Sequence, residues 1–177
     1  SETSVYYLGL AQSMVRRLAP AARSFEWLVS LNRHCSEYRL RLALAYWADD
    51  KPDKAFGQLK TASELEPNNL SAHLLIGRFY TARDSLEKAL ETLNRAVEIA
   101  PDFVDAHLAL QKVYLEKGWS YPAYTKAEKL QEAHPQISTL TSGFATRCRA
   151  FGYRDEAKRL FEQAVEQDAA NVSARRA

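Results

Sequence analysis

The sequence feature that most restricts the fold is a repeat. Residues 70–103 and 104–137 align over 34 positions: Ala72-His73-Leu74 falls on Ala106-His107-Leu108, Tyr80 on Tyr114, Ala89 on Ala123 and Pro101 on Pro135. A period of this size is the mark of a stacked array of small helical units, which excludes most globular folds before any single residue is considered. Extended in both directions, the period starts lines at Glu2, Ser36, Leu70, Val104 and Ser138. The twentieth residue of every line is alanine: Ala21, Ala55, Ala89, Ala123 and Ala157. The seventh is always apolar (Leu8, Leu42, Ile76, Leu110, Phe144), and the eighth is small in four of five lines (Gly9, Ala43, Gly77, Ala145, with Gln111 the exception).

The spacing has a direct physical reading. Positions 4, 7, 8 and 11 fall at i, i+3, i+4 and i+7, one face of a helix, and positions 20, 24, 27 and 30 do the same for a second helix. Small residues at 8 and 20 let the two helices approach closely. Pro67, Pro101 and Pro135, at position 32, cannot continue a helix and mark the break before the next pair. One such pair cannot bury its apolar stripe alone, so neighbouring pairs must stack.

This pattern resembles the tetratricopeptide repeat family, whose signature has a large residue at 4, Leu then Gly or Ala at 7 and 8, Tyr at 11, Ala at 20, a large apolar residue at 24, Ala at 27 and Pro at 32. The resemblance covers residues 2–171 and is strongest in the second to fourth lines, where Tyr46, Tyr80 and Tyr114 occupy position 11. The first line has Gln12 and Arg33, and the fifth Cys148 and Ala169, where the family has Tyr and Pro. Position 4, usually Trp, is Val5, Arg39, His73, His107 and Thr141. The resemblance implies an all-α fold: a right-handed α-solenoid of antiparallel helix pairs, in one array of repeats 2–35, 36–69, 70–103, 104–137 and 138–171. The chain starts at Ser1 and ends in VSARRA, read as the opening of a further first helix over 172–177, so the native protein is expected to continue beyond one or both ends.

Helices are expected around 3–17 and 20–31, with Pro20 and Pro52 suited to the first turns of second helices. Asp50, and Asp84 or Ser85, are candidate N-caps. The segment STLTSGFATRCRAFG is poor in strong helix formers and is expected to be helical only through packing. The turn Gly118–Pro122 is the most aromatic in the chain.

Composition narrows function mainly by exclusion. A net charge of +2 creates no strong field for nucleic acid or membrane surfaces. No apolar run approaches the ~18 residues of a membrane span. Cys35 and Cys148 lie three periods apart, beyond disulfide reach in a stacked array. Unpaired thiols favour a reducing compartment such as the cytoplasm, with the bacterial periplasm as the alternative. His73 and His107 are equivalent residues without a ligand at i+4, and His34 and His134 fall at turns, so no metal or other cofactor is expected. No nucleophile elbow, phosphate-binding glycine loop or cysteine cluster is present, and no catalytic residue is assigned.

The resemblance places the working surface on the concave face, at positions 2, 5, 9, 12 and 13 of each first helix. Its expected lining is Tyr6, Leu40, Leu44, Trp47, Leu74, Arg78, Leu108, Lys112, Leu115 and Arg149. The face reads as apolar toward the N-terminus and basic-polar toward the C-terminus. It suits an amphipathic helix or extended apolar segment, with Arg78, Lys112 and Arg149 available to carboxylates. In the alternative, the leucines merely cover the interior and the basic residues pair with Glu37, Asp105 and Glu116. The Lys and Asn set by which chaperone-tail clamps hold a terminal carboxylate is missing. The expected function is a non-catalytic scaffold for a protein or peptide partner, serving assembly or secretion. The alternatives are a self-associating spacer and a regulatory module of an enzyme or polysaccharide-export machine lying outside the segment.

Overall fold

A computed structural model describes residues 1–118 and 138–167 of the chain, and among these there are nine helices and no strand. The helices are α1 (Glu2–Met14), α2 (Leu18–Leu31), α3 (Ser36–Ala48), α4 (Pro52–Leu65), α5 (Leu70–Ala82), α6 (Leu86–Ile99), α7 (Val104–Glu116), α8 (Ser138–Ala150) and α9 (Arg154–Gln167). First helices begin at position 1 of each line, as the repeat demands. The segment expected to form the second helix of the fourth line, with Trp119, Tyr121, Pro122, Ala123, His134 and Pro135, lies outside the described residues, as do 168–177. The chain divides into two compact units, Ser1–Phe79 and Tyr80–Ala177.

In the first unit, α1 packs on α2, α2 on α3 and α3 on α4. The stripe of α2 is Ala21, Ala22, Phe25 and Leu28, spaced i, i+1, i+4 and i+7, all at most 5% exposed. Burying a side chain the size of Phe or Leu stabilises by about 1.5–3 kcal/mol. The small residue at position 8 matters most in α1: a Cβ on Gly9 would sit 2.8 Å from Cζ of Phe25. In the second unit, α6 packs on α7, α7 on α8 and α8 on α9. Phe144, Ala145 and Cys148 of α8 are buried, so the segment with weak helix formers is held by its neighbours. Gln111, the large residue at position 8, is buried, and its Oε1 has no hydrogen-bond partner among the described residues.

The turn inside each repeat shares one backbone feature at position 15, and four of the described turns share the bond that follows it. Arg16, Asp50, Asp84, Gly118 and Gly152, all at position 15, have positive φ between 54° and 86°. The next residue's N–H reaches back five residues: Arg17 to the Gln12 carbonyl at 2.8 Å, Lys51 to Tyr46 at 2.8 Å, Ser85 to Tyr80 at 2.9 Å and Tyr153 to Cys148 at 2.8 Å. This left-handed C-terminal hook satisfies carbonyls that the helix end leaves open. It also corrects the expectation for the two aspartates, Asp50 and Asp84, which close the preceding first helices. Of the expected caps, Ser85 does stand at the N-cap of α6, and Lys51 takes that place in α4, both without a side-chain capping bond. A side-chain cap is found instead at Asn69, whose Oδ1 accepts from the Ala72 N–H at 3.0 Å.

Position 4 has its own regularity. The Arg39 guanidinium donates to the Arg33 carbonyl at 3.0 and 2.7 Å. Nε2 of His73 meets the Pro67 carbonyl at 2.7 Å, and Nε2 of His107 meets Pro101 at 2.7 Å. Each bond joins position 4 to position 32 of the preceding repeat. A carbonyl only accepts, so both imidazoles carry a proton on Nε2. The polar residues that replace Trp therefore fasten the connection between repeats.

Candidate functional site

In the first unit, the expected lining residues sit on α1, α3 and α5. Tyr6 is half-buried, its ring 6.0 Å from Tyr38 and 6.3 Å from Phe25. Its hydroxyl donates to Oε1 of Glu37 at 2.8 Å, and Nε of Arg41 donates to the same oxygen at 2.6 Å. Burial first, and then the Glu37 carboxylate, push the Tyr6 phenol above its ordinary pKa. Trp47 is half-buried and meets Phe79 edge-on at 6.0 Å; Phe79 in turn stacks on Phe56 at 4.3 Å. Leu44 is 42% exposed and Arg78 is exposed, whereas Leu40 and Leu74 are buried to 5% and 7%. Leu40 and Leu74 are therefore closed off inside the packing, whereas Leu44, Trp47, Tyr6 and Arg78 keep accessible surface.

In the second unit, Lys112 and Arg149 are exposed, Leu108 is half-buried and Leu115 is buried. Gly143 allows α8 to approach Leu108: a Cβ there would lie 3.2 Å from Cδ2 of the leucine. Nζ of Lys112 lies 3.5 Å from Oε1 of Glu116, an exposed pair worth a few tenths of a kcal/mol at most. Arg149 lies over the Phe161 ring, 5.4 Å from its centroid. Glu37 is engaged by Arg41 and Tyr6. Sequence reasoning missed this Tyr6–Glu37–Arg41 cluster, although Glu37 and Arg41 stand at i and i+4 and could have been paired.

A second concavity lies between α1 and α2. An open groove of about 390 Å³ is lined by Val5, Gln12, Pro20, Arg23, Ser24 and Trp27. In the second repeat, the long side chain at position 4 reaches position 23, Arg39 Nη1 donating to Gln58 Oε1 at 2.9 Å. The short Val5 and Ser24 at those positions leave the first repeat open.

Among the described residues, no group of three or more His, Cys, Asp or Glu is placed to hold a metal ion. No described helix is long and apolar enough to cross a membrane. Both cysteines are free; Cys148 is buried and its thiol is pushed up to about 11, by burial first and then by Glu156.

The repeat and its packing have known counterparts. Residues 46–114 match the tetratricopeptide repeat family. No curated protein matches the sequence significantly. Among solved structures, the chain is similar to the MamA protein at 23% identity and a TM-score of 0.74, over 95% of this chain and 92% of that one. A thermophilic TPR protein of Thermus thermophilus is 22% identical with a TM-score of 0.73, over 99% and 95%. YrrB, described as a TPR protein with an unusual peptide-binding site, is 15% identical with a TM-score of 0.66, over 99% and 91%. Helix pairs on a 34-residue period, the family match over residues 46–114 and these folds agree: the chain has the fold of a tetratricopeptide-repeat solenoid.

Proposed function

We propose that the chain is a non-catalytic scaffold that takes a segment of another protein on the inner faces of its first helices. The observation that supports this most is the make-up of the α3–α5 face. An exposed Leu44 and a half-buried Trp47 stand on α3, and α5, joined to it by the Trp47–Phe79 ring contact, carries the exposed Arg78. Leaving Leu44 and Trp47 in water is unfavourable, and a partner's apolar side chains would relieve it. The partner segment is an amphipathic helix or an extended strand with apolar residues and at least one carboxylate for Arg78. On the second unit, Lys112 and Arg149 offer the same chemistry with less apolar surface. YrrB shows that a protein of this fold can carry a peptide-binding site.

The test is capture from lysate with the whole chain as bait, followed by binding measurements on the captured segment. Leu44→Glu with Arg78→Glu is expected to weaken binding at least tenfold while far-UV circular dichroism stays unchanged. Leu74→Glu is unsuitable, because Leu74 is buried and its loss would unfold the helix pair. Binding that ignores the double variant places the contact elsewhere on the protein.

A further inference from the structure

The first helices of the first unit carry their charges unevenly. Where α1 meets α3, two carboxylates are each held by a tyrosine of the other helix. The Tyr6 hydroxyl of α1 donates to Oε1 of Glu37 at 2.8 Å, and the Tyr38 hydroxyl of α3 donates to Oε2 of Glu2 at 3.3 Å. The two rings are half-buried and 6.0 Å apart. Each tyrosine takes up one oxygen of its carboxylate. The other oxygens, Oε2 of Glu37 and Oε1 of Glu2, accept no hydrogen bond among the described residues. Glu2 is exposed, and the Glu37 side chain is 46% exposed. Arg41 bonds the same Glu37 oxygen as Tyr6, so it offsets one of the two charges and leaves one negative charge at this end. Tyrosine rings beside a carboxylate favour a cation, through the ring quadrupole and through Coulomb attraction.

On α5 the sign is opposite. The helix contains no Asp or Glu, and its exposed Arg78 has no hydrogen bond or ion pair among the described residues. The accessible Leu44 and Trp47 stand on α3, which meets α1 through Tyr38 and α5 through Trp47. We infer, taking this face as the binding groove, that the segment of another protein it receives is charge-ordered: a Lys or Arg against Tyr6, Tyr38 and the Glu2 and Glu37 carboxylates, apolar side chains on Leu44 and Trp47, and an Asp or Glu at Arg78. Charge complementarity selects this order. A uniformly acidic segment would satisfy Arg78 and be repelled by Glu2 and Glu37, and a uniformly basic one would meet the reverse.

Selection of random peptides displayed on phage, with the full chain as target, tests this. The enriched peptides should carry a basic residue and an acidic one on opposite sides of an apolar pair. Neutralising the basic residue of such a peptide should weaken its binding to the native chain about fivefold, and leave binding to the Glu2→Gln, Glu37→Gln variant unchanged. Neutralising the acidic residue should behave in the same way towards Arg78→Gln. Glutamine keeps an acceptor for each tyrosine, and circular dichroism checks that the helices are intact. No enrichment, or peptides that bind Leu44→Glu with Arg78→Glu as tightly as the native chain, overturns the groove reading and this inference with it. Peptides that lose affinity for that variant but lack a basic residue, or bind the Glu2→Gln, Glu37→Gln variant at full strength, overturn the charge order alone. Sedimentation velocity of the chain by itself reports the other occupant: a dimer dissolved by Glu2→Gln with Glu37→Gln assigns the face to a second copy and also overturns the proposal.

Discussion

The first helices of the first and second repeats carry the same two residues at positions 7 and 10. Leu8 and Ala11 in α1 correspond to Leu42 and Ala45 in α3. Leu8 is 51% exposed and Leu42 is 2%; Ala11 is exposed and Ala45 is 3%. Nothing local to either helix separates them. The difference is that α2 lies against α3, whereas α1 is the first helix of the described chain. Periodicity assigns a residue to a face; only a neighbouring helix turns that face into core.

Replacing the equivalent leucines is the strongest way to break this comparison. Leu42→Ala should cost about 3 kcal/mol in urea unfolding, whereas Leu8→Ala in dilute solution should cost under about 1 kcal/mol. Equal losses would mean that α1 is covered in solution. Next is position 8, where Gly9→Ala drives a methyl group into Phe25 and should cost about 1–3 kcal/mol. Combining it with Phe25→Leu should recover part of that loss, and no recovery would argue against this contact as the cause. At position 4, Arg39→Ala removes the bonds to Arg33 and Gln58 and should cost about 1–2 kcal/mol, whereas Val5→Ala in α1 touches no such bond.

The intra-repeat hook gives a smaller effect of opposite sign. Arg16→Gly should stabilise by up to about 1 kcal/mol, because a long side chain gains nothing at φ 57°. Asp50→Gly should gain less, since Asp tolerates this region better. Thermal midpoints of the two variants would rank them, and the reverse order would refute the conformational argument.

The last difference is silent near neutral pH. The Tyr46 hydroxyl donates to Oε1 of Glu26 at 2.5 Å, and its pKa is raised from 10.0 to about 12, by burial first and then by the Glu26 carboxylate. A raised folded pKa means that the folded state holds the proton longer. The stabilisation is therefore complete below about pH 10 and is lost as pH rises through about 12. Position 11 of α1 is Gln12, which does not titrate. Unfolding titrations should show the alkaline loss in the native chain and a flatter profile in Tyr46→Phe; identical profiles would assign the loss to other groups.

Much of the fold can be read from the residues, because the alanines at position 20 and the prolines at 67 and 101 state the period and the breaks outright. The caps are not legible in this way. Asp after a helical run reads equally well as the start of the next helix or the end of the last, and only its positive φ decides. Position 4 is opaque for a similar reason: Arg39, His73 and His107 share no side-chain shape, only a donor at the right reach. For the candidate site, periodicity gathers Leu40, Leu44 and Leu74 into one set, but Leu40 and Leu74 are buried while Leu44 stands in water. That split depends on the depth to which neighbouring helices sink, which a one-dimensional pattern does not record. The Tyr6–Glu37 bond, spanning two repeats, lies beyond the same horizon.

The fastening of position 32 by a donor six residues onward has a practical meaning for anyone who would transplant these modules. A cassette excised at the start of a first helix would part the carbonyl from the group that grips it and leave a loose joint at the graft. Cutting ahead of the turn, so that both halves of the latch travel together, should give chimaeras whose joints are as firm as those of the parent.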